Sequence, residues 1–183
     1  MNVMGQLLDS EEFENLIVKM SKQLSIELEQ SDSPVFIGMA TRGIPLASQL
    51  ADKLSDIWSE KIEVGALDNT FYRDDFHYRN KLAEPAMAPT GAPVNIDRKN
   101  VVLVDDVLFT GRSIRAALEA LKDMGRPASV KLVVLVDRQG RELPIQADFV
   151  GLSLNQSKSM EVKVSVKPMD EENRVDLVRV EGK

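Results

Sequence analysis

Apolar positions along the chain change period several times, and each change predicts an element. In DSEEFENLIVKMSKQLSIELEQ, Phe13, Leu16, Ile17, Met20 and Leu24 recur at the spacing of an amphipathic helix. Asp9, with Glu12 three residues on, matches a capping box at its start. Val35–Met39 is a short apolar run and predicts a strand. After Thr41-Arg42-Gly43, residues Leu46, Leu50 and Leu54 line one face of a second helix. KIEVGALDNTF alternates and predicts another strand. Val101–Asp105 is a buried strand by the same reading, followed by a helix over Ser113–Met124 that stops at Gly125 and Pro127. SVKLVVLVD gives a further apolar strand, and ADFVGLSL and EVKVSVKP give two short late ones.

Strands alternating with helices predict an α/β fold, a mainly parallel central sheet flanked by helices. Ligands of such sheets meet the carboxyl ends of the strands. Three exits carry polar groups: Thr41-Arg42-Gly43, Asp105 to Ser113, and Asp137 to Arg141. They are expected to converge on one site. Tyr72 to Pro93, YRDDFHYRNKLAEPAMAPTGAP, shows no period and holds three prolines. It is longer than the ~12–15 residues beyond which structureless loops are usually functional or disordered.

Bulk properties narrow the classes. A chain of 183 residues suits a single domain, residues 1–183, with a sizeable core. A net charge of −6 argues against a protein that chiefly coats nucleic acid or an anionic membrane. There are no cysteines, so disulfides and thiol chemistry are excluded. The acidic N-terminus does not read as a signal peptide, and no apolar run approaches the ~20 residues of a spanning helix. A soluble, cytoplasmic protein is expected.

VVLVDDVLFTGRS, Val101 to Ser113, carries the chemistry. Neighbouring carboxylates at a strand exit suit hydrogen bonds from a vicinal diol, or a water-mediated hold on Mg²⁺. Thr110, Gly111, Arg112 and Ser113 fall at a helix N-terminus, where N–H groups and hydroxyls favour a phosphate. Diol and phosphate together describe a ribose 5-phosphate. Taken singly, each residue reads equally well as a solvated strand end or a helix cap. The ordered set is harder to explain that way, and neither G-x-x-x-x-G-K-[ST] nor G-x-G-x-x-G is present.

VVLVDDVLFTGRSI resembles the phosphoribosyl pyrophosphate signature of the type I phosphoribosyltransferases. TRGIPLA, YRDDF, DDVLFTGRSIRAALEAL, GRPASV and VLVDRQGRELPIQAD together resemble the pyrimidine operon attenuation regulators, the PyrR family, whose members also act as uracil phosphoribosyltransferases. The resemblance implies the type I phosphoribosyltransferase fold, with a lid loop over 72–93 and a small hood. It implies UMP and pyrophosphate made from uracil and phosphoribosyl pyrophosphate with Mg²⁺, in a homodimer or higher oligomer. Asp105 and Asp106 would hold the ribose hydroxyls, Val107, Leu108 and Phe109 would continue the loop, and Thr110 to Ser113 would hold the 5-phosphate. Thr41, Arg42 and Gly43 would grip pyrophosphate. Arg73 and Arg79 would close over it, oriented by Asp74 and Asp75. Asp137 and Arg138 would lie on the base side, Asp137 touching Mg²⁺ through water. Arg141 and Glu142 read as no more than a surface ion pair, and His77 as incidental.

The family also binds the leader RNA of pyrimidine operons. Phosphate contacts need cations. Here the first helix is acidic overall, and Val18, Gln146 and Leu152 stand where relatives tend to be polar or basic. RNA binding is therefore expected to be weak or to use a different surface, for which Lys19, Lys22, Arg138 and Arg141 remain as candidates. A mainly UMP-sensing regulator and a phosphoribosyltransferase for another base are the competing readings, because the sugar-phosphate motif does not read the base.

Overall fold

The computed structural model describes residues 2–30, 33–68, 94–155 and 159–179. Its elements run β1 (Asn2–Leu8), α1 (Ser10–Glu27), β2 (Val35–Met39), α2 (Gly43–Trp58), β3 (Glu63–Leu67), β4 (Asn100–Leu108), α3 (Arg112–Met124), β5 (Ser129–Asp137), β6 (Phe149–Ser153), β7 (Met160–Ser165) and β8 (Arg174–Arg179). Among the described residues no helix is long and apolar enough to cross a membrane.

The central sheet has five parallel strands in the order β3-β2-β4-β5-β6. Its middle strands are continuous apolar runs because both faces are covered. On β4, Val102 and Val104 join a core with Phe13, Ile17 and Leu24 of α1 and Leu46, Leu50 and Leu54 of α2. Val101 and Leu103, one residue out of phase, join the opposite core with Ile114, Ala117 and Leu121 of α3. Successive side chains point to opposite faces, so one strand feeds both layers.

The capping box forms at the start of α1. Asp9 Oδ1 accepts the Glu12 N–H at 2.8 Å and Glu12 Oε2 accepts the Asp9 N–H at 2.9 Å. β4 extends past the expected Asp105 to Leu108, because Val107 and Leu108 pair with Val136 and Asp137 of β5.

A second, antiparallel sheet has the order β1-β8-β7. It forms a hood whose Val164, Val166 and Val175 pack into the core of α1 and α2. The periodicity had not marked β1 or β8.

Candidate active site

The three polar exits follow β2, β4 and β5, which are adjacent and parallel, so their loops emerge side by side. Close packing sets the first. A Cβ on Gly43 would lie 2.5 Å from the Val104 carbonyl oxygen, so glycine lets the start of α2 rest directly on β4. Gly38 serves the same approach, since a Cβ there would collide with the backbone of Ile44. The Ala40–Thr41 peptide between them is cis. Thr41 is exposed and Arg42 half-buried.

Arg42 reaches away from its own loop. Its Nε and Nη2 donate to Asp170 Oδ2 and Oδ1, each at 3.0 Å. Asp170 lies in the turn between β7 and β8, so the hood touches the loop after β2. The pair pushes the guanidinium further up and holds the Asp170 carboxyl below its ordinary range. Asp170 had not been expected. Its segment, PMDEEN, reads as a polar turn, and no local pattern ties it to a residue 128 positions away.

Asp105 is buried, at 8% exposure, and Asp106 half-buried. Each carboxylate leans on the next amide: Asp105 Oδ1 accepts the Asp106 N–H at 3.0 Å, and Asp106 Oδ1 accepts the Val107 N–H at 2.9 Å. Burial pushes the Asp106 carboxyl up, opposed by these hydrogen bonds and by the charge of Arg42. Burial makes its charge costly, and a further donor or a cation would offset that cost. Hard cations take oxygen donors, and Mg²⁺ in particular uses one or two carboxylates together with substrate oxygens. A carboxylate pair at a strand exit therefore fits Mg²⁺ arriving with a polyphosphate. Among the described residues no set of three or more acidic, His or Cys side chains could by itself hold a metal ion.

Gly111 has φ +90°, a left-handed conformation that favours glycine, and caps α3 with no side-chain hydrogen bond. The first amides of α3 thus lie at the end of the short loop after β4, the strand that carries the aspartates.

The third exit is bound to the second. Arg138 N–H donates to the Leu108 carbonyl at 2.9 Å, and the Glu142 and Leu143 amides donate to the Thr110 carbonyl at 3.0 and 3.1 Å. Arg141 locks this wall. It donates to the Phe109 carbonyl at 2.8 Å, the Ile145 carbonyl at 2.7 Å and Asp137 Oδ2 at 2.7 Å. The surface ion pair expected between Arg141 and Glu142 does not form, because Glu142 pairs with Arg112 instead, at 2.8 Å.

Asp137 also accepts the Gln139 N–H at 2.8 Å, so both its oxygens are engaged. The guanidinium of Arg138 sits 4.1 Å from the centre of the Phe109 ring and donates to the Met160 carbonyl. A Cβ on Gly140 would collide with the same ring, so glycine admits Phe109 there.

Two of the four RNA-binding candidates need correction as surface cations. Arg138 is only 7% exposed, its charge covered by Phe109 and β7. Arg141 is spent on the internal bonds just described. Lys19 and Lys22 are exposed on α1. Arg73, Asp74, Asp75, His77, Arg79 and the whole 72–93 loop lie outside the described residues.

The phosphoribosyl transferase domain model matches residues 3–172. Proteins called bifunctional protein PyrR from Bacillus cereus and Bacillus thuringiensis are each 42% identical over 171 residues, covering 93% of this chain and 95% of theirs. Among solved structures, a hypoxanthine-guanine phosphoribosyltransferase from Leishmania tarentolae in complex with GMP superposes with a TM-score of 0.72 at 15% identity, covering 98% of both chains. A hypoxanthine-guanine phosphoribosyltransferase from Bacillus anthracis does so with a TM-score of 0.68 at 15% identity, covering 97% of this chain and 99% of that one. At such identities the likeness is one of fold.

Proposed function

The chain belongs to the phosphoribosyltransferase family, in its PyrR group, and on that premise we propose that it transfers a phosphoribosyl group to uracil. Uracil N1 bonds to C1 of the ribose as the bond from C1 to the pyrophosphate oxygen breaks. The N1 proton is lost, and UMP and pyrophosphate are the products. The observation that carries the reading is the exit of β4. It sets two aspartates, one buried and one half-buried, a short loop away from the N-terminus of α3, whose first amide donates to the Thr110 hydroxyl oxygen at 3.4 Å.

In this reading Asp105 and Asp106 accept hydrogen bonds from the two ribose hydroxyls. Thr110, Gly111, Arg112 and Ser113 surround the 5-phosphate, where the amide dipoles of a helix N-terminus favour an anion. Thr41, Arg42 and Gly43 take the pyrophosphate. Asp105 and Asp106 would hold Mg²⁺ jointly with substrate oxygens, and the metal would supply charge neutralisation on the departing pyrophosphate. The site offers carboxylates, a guanidinium and N–H groups rather than a nucleophile. That suits a dissociative transfer in which fixed dipoles stabilise developing charge.

The base side favours uracil only through the PyrR relatives; the solved hypoxanthine enzymes share the fold alone. The experiment is product analysis with labelled phosphoribosyl pyrophosphate, Mg²⁺ and a panel of bases. UMP from uracil is expected. Preferential product from hypoxanthine or guanine would overturn the base assignment, and no product from any base would overturn the transfer itself.

The bifunctional name of the relatives raises RNA regulation. With Arg138 and Arg141 turned inward, Lys19 and Lys22 carry what basic character that reading has. We propose weak binding to pyrimidine-operon leader RNA. A filter-binding titration at about 0.15 M salt checks it. Nanomolar, UMP-enhanced binding that survives Lys22→Ala would refute it.

A further inference from the structure

Arg42 and Asp170 come from different sheets, 128 residues apart, and meet through two parallel hydrogen bonds of 3.0 Å. Such a fork holds a guanidinium in one plane, which a single contact does not. The carboxylate is itself fixed. Its Oδ2 also accepts the Val166 N–H at 2.8 Å, and the Asp170 N–H donates to the Val166 carbonyl at 3.0 Å.

The turn that carries Asp170 is tied to the helices beneath it. Lys167 N–H donates to Asn173 Oδ1 at 2.8 Å, Gln49 of α2 donates to the Lys167 carbonyl at 3.2 Å, and Ser10 of α1 donates to the Asn173 carbonyl at 2.8 Å. Asn173 is buried at 7% exposure and Val166 at 0%. A chain of short contacts therefore runs from the core of the hood to the guanidinium of Arg42.

The geometry of the fork decides between two roles. If Asp170 covered the edge of Arg42 that an anion needs, it would compete with ligand. It pairs instead through Nε and Nη2, side-on. That pairing uses two of the five N–H donors of a guanidinium, and the other three suffice for a second fork along the Nη1–Nη2 edge.

We propose that Asp170 is a positioning residue that presents Arg42 to the pyrophosphate end of the substrate while remaining bonded to it. This rests on the phosphoribosyltransferase reading above. On this proposal the hood serves the pyrophosphate subsite through Arg42.

The test compares two ligands that share the ribose 5-phosphate but not the pyrophosphate. Dissociation constants for phosphoribosyl pyrophosphate with Mg²⁺ and for UMP are measured by calorimetry on wild type, Asp170→Asn, Asp170→Glu, Arg42→Ala and the Asp170→Asn/Arg42→Ala double variant. Asp170→Asn is expected to weaken phosphoribosyl pyrophosphate about 5- to 30-fold, the scale of a hydrogen bond to a charged group, and to leave UMP within about two-fold. Asp170→Glu, which keeps the charge, falls between wild type and Asp170→Asn. The double variant binds no more weakly than Arg42→Ala, because Asp170 acts through Arg42.

Equal weakening of both ligands, additive losses in the double variant, or unchanged affinity in Asp170→Asn would each overturn the inference while leaving the transferase reading in place. Wild-type protein that binds no phosphoribosyl pyrophosphate would overturn the transferase reading and this inference with it. Should Asp170→Asn not fold, Asp170→Glu against Arg42→Ala gives the same contrast between ligands.

Discussion

The two sheets of this protein solve opposite problems. The parallel sheet is buried on both faces, and its candidate site residues stand at the strand ends, where side chains leave the core together. The antiparallel hood is built from segments at opposite ends of the sequence and has one face in the core. It meets the loops of the other sheet at the Asp170 carboxylate, which pairs with Arg42, and at the Met160 carbonyl, which accepts from Arg138. In the first case the strands place the chemistry directly. In the second, a remote element adjusts a group already placed.

That contrast can be broken at several levels. The largest effect is expected in the parallel sheet's core. Phe36 is fully buried between β2 and the helices, so Phe36→Ala should cost about 3–5 kcal/mol in urea unfolding. Next is the β4 exit. Asp105→Asn and Asp106→Asn should each lower kcat/KM for phosphoribosyl pyrophosphate by roughly 10- to 150-fold, or about 1.5–3 kcal/mol. Steady-state kinetics check this, and a double variant within about two-fold of wild type would remove the pair from the mechanism.

Val175 in the hood is buried at 0% exposure but offers less to lose. Val175→Ala should cost about 1.5 kcal/mol by the same unfolding measurement, roughly two buried methyl groups. A loss as large as that of Phe36→Ala would mean that the hood is a structural keystone rather than an accessory.

The smallest effect is a pH dependence. The hydrogen bonds from Arg42 hold the Asp170 carboxyl below its ordinary value of 3.8, with burial opposing and the Val166 amide assisting. The unfolded chain takes up this proton first as pH falls. The stabilisation is therefore fully present above 3.8 and is lost as pH drops through the lower folded value. The gap in urea midpoint between wild type and Asp170→Asn should be constant near neutrality and close in acid. A gap that widens in acid would show that Asp170 is not held by Arg42 in solution.

Most of the parallel sheet was legible in the sequence. Val35–Met39 and Ser129–Asp137 are the expected strands, because the stretches of these strands covered on both faces, Val35–Met39 and Leu132–Val136, are apolar. The start of α1 was legible because a capping box is local chemistry. The end of β4 was read short. Asp105 and Asp106 look like a terminus by composition, while pairing to β5 carries the strand on to Leu108. The hood was largely illegible. β1 contains Gly5 and an irregular register, and its partner β8 lies at the far end of the chain. Asp170 and the inward turn of Arg138 and Arg141 were hidden for one reason: each depends on a tertiary partner. A charged residue after a strand reads as solvated until that partner is seen.

The hood order β1-β8-β7 also has a meaning in time. β8 lies between the first of the described elements and the strand made just before itself. During synthesis every strand of the parallel sheet is made before β8. Until Arg174–Arg179 emerge, β1 and β7 lack their common partner and present open edges, the kind of surface that recruits other chains. A nascent chain halted before β8 would carry Asp105, Asp106 and the loop before α3 without a settled turn to hold Arg42. Completion of the last described strand, rather than formation of the sheet that bears the chemistry, is then the event that finishes the enzyme.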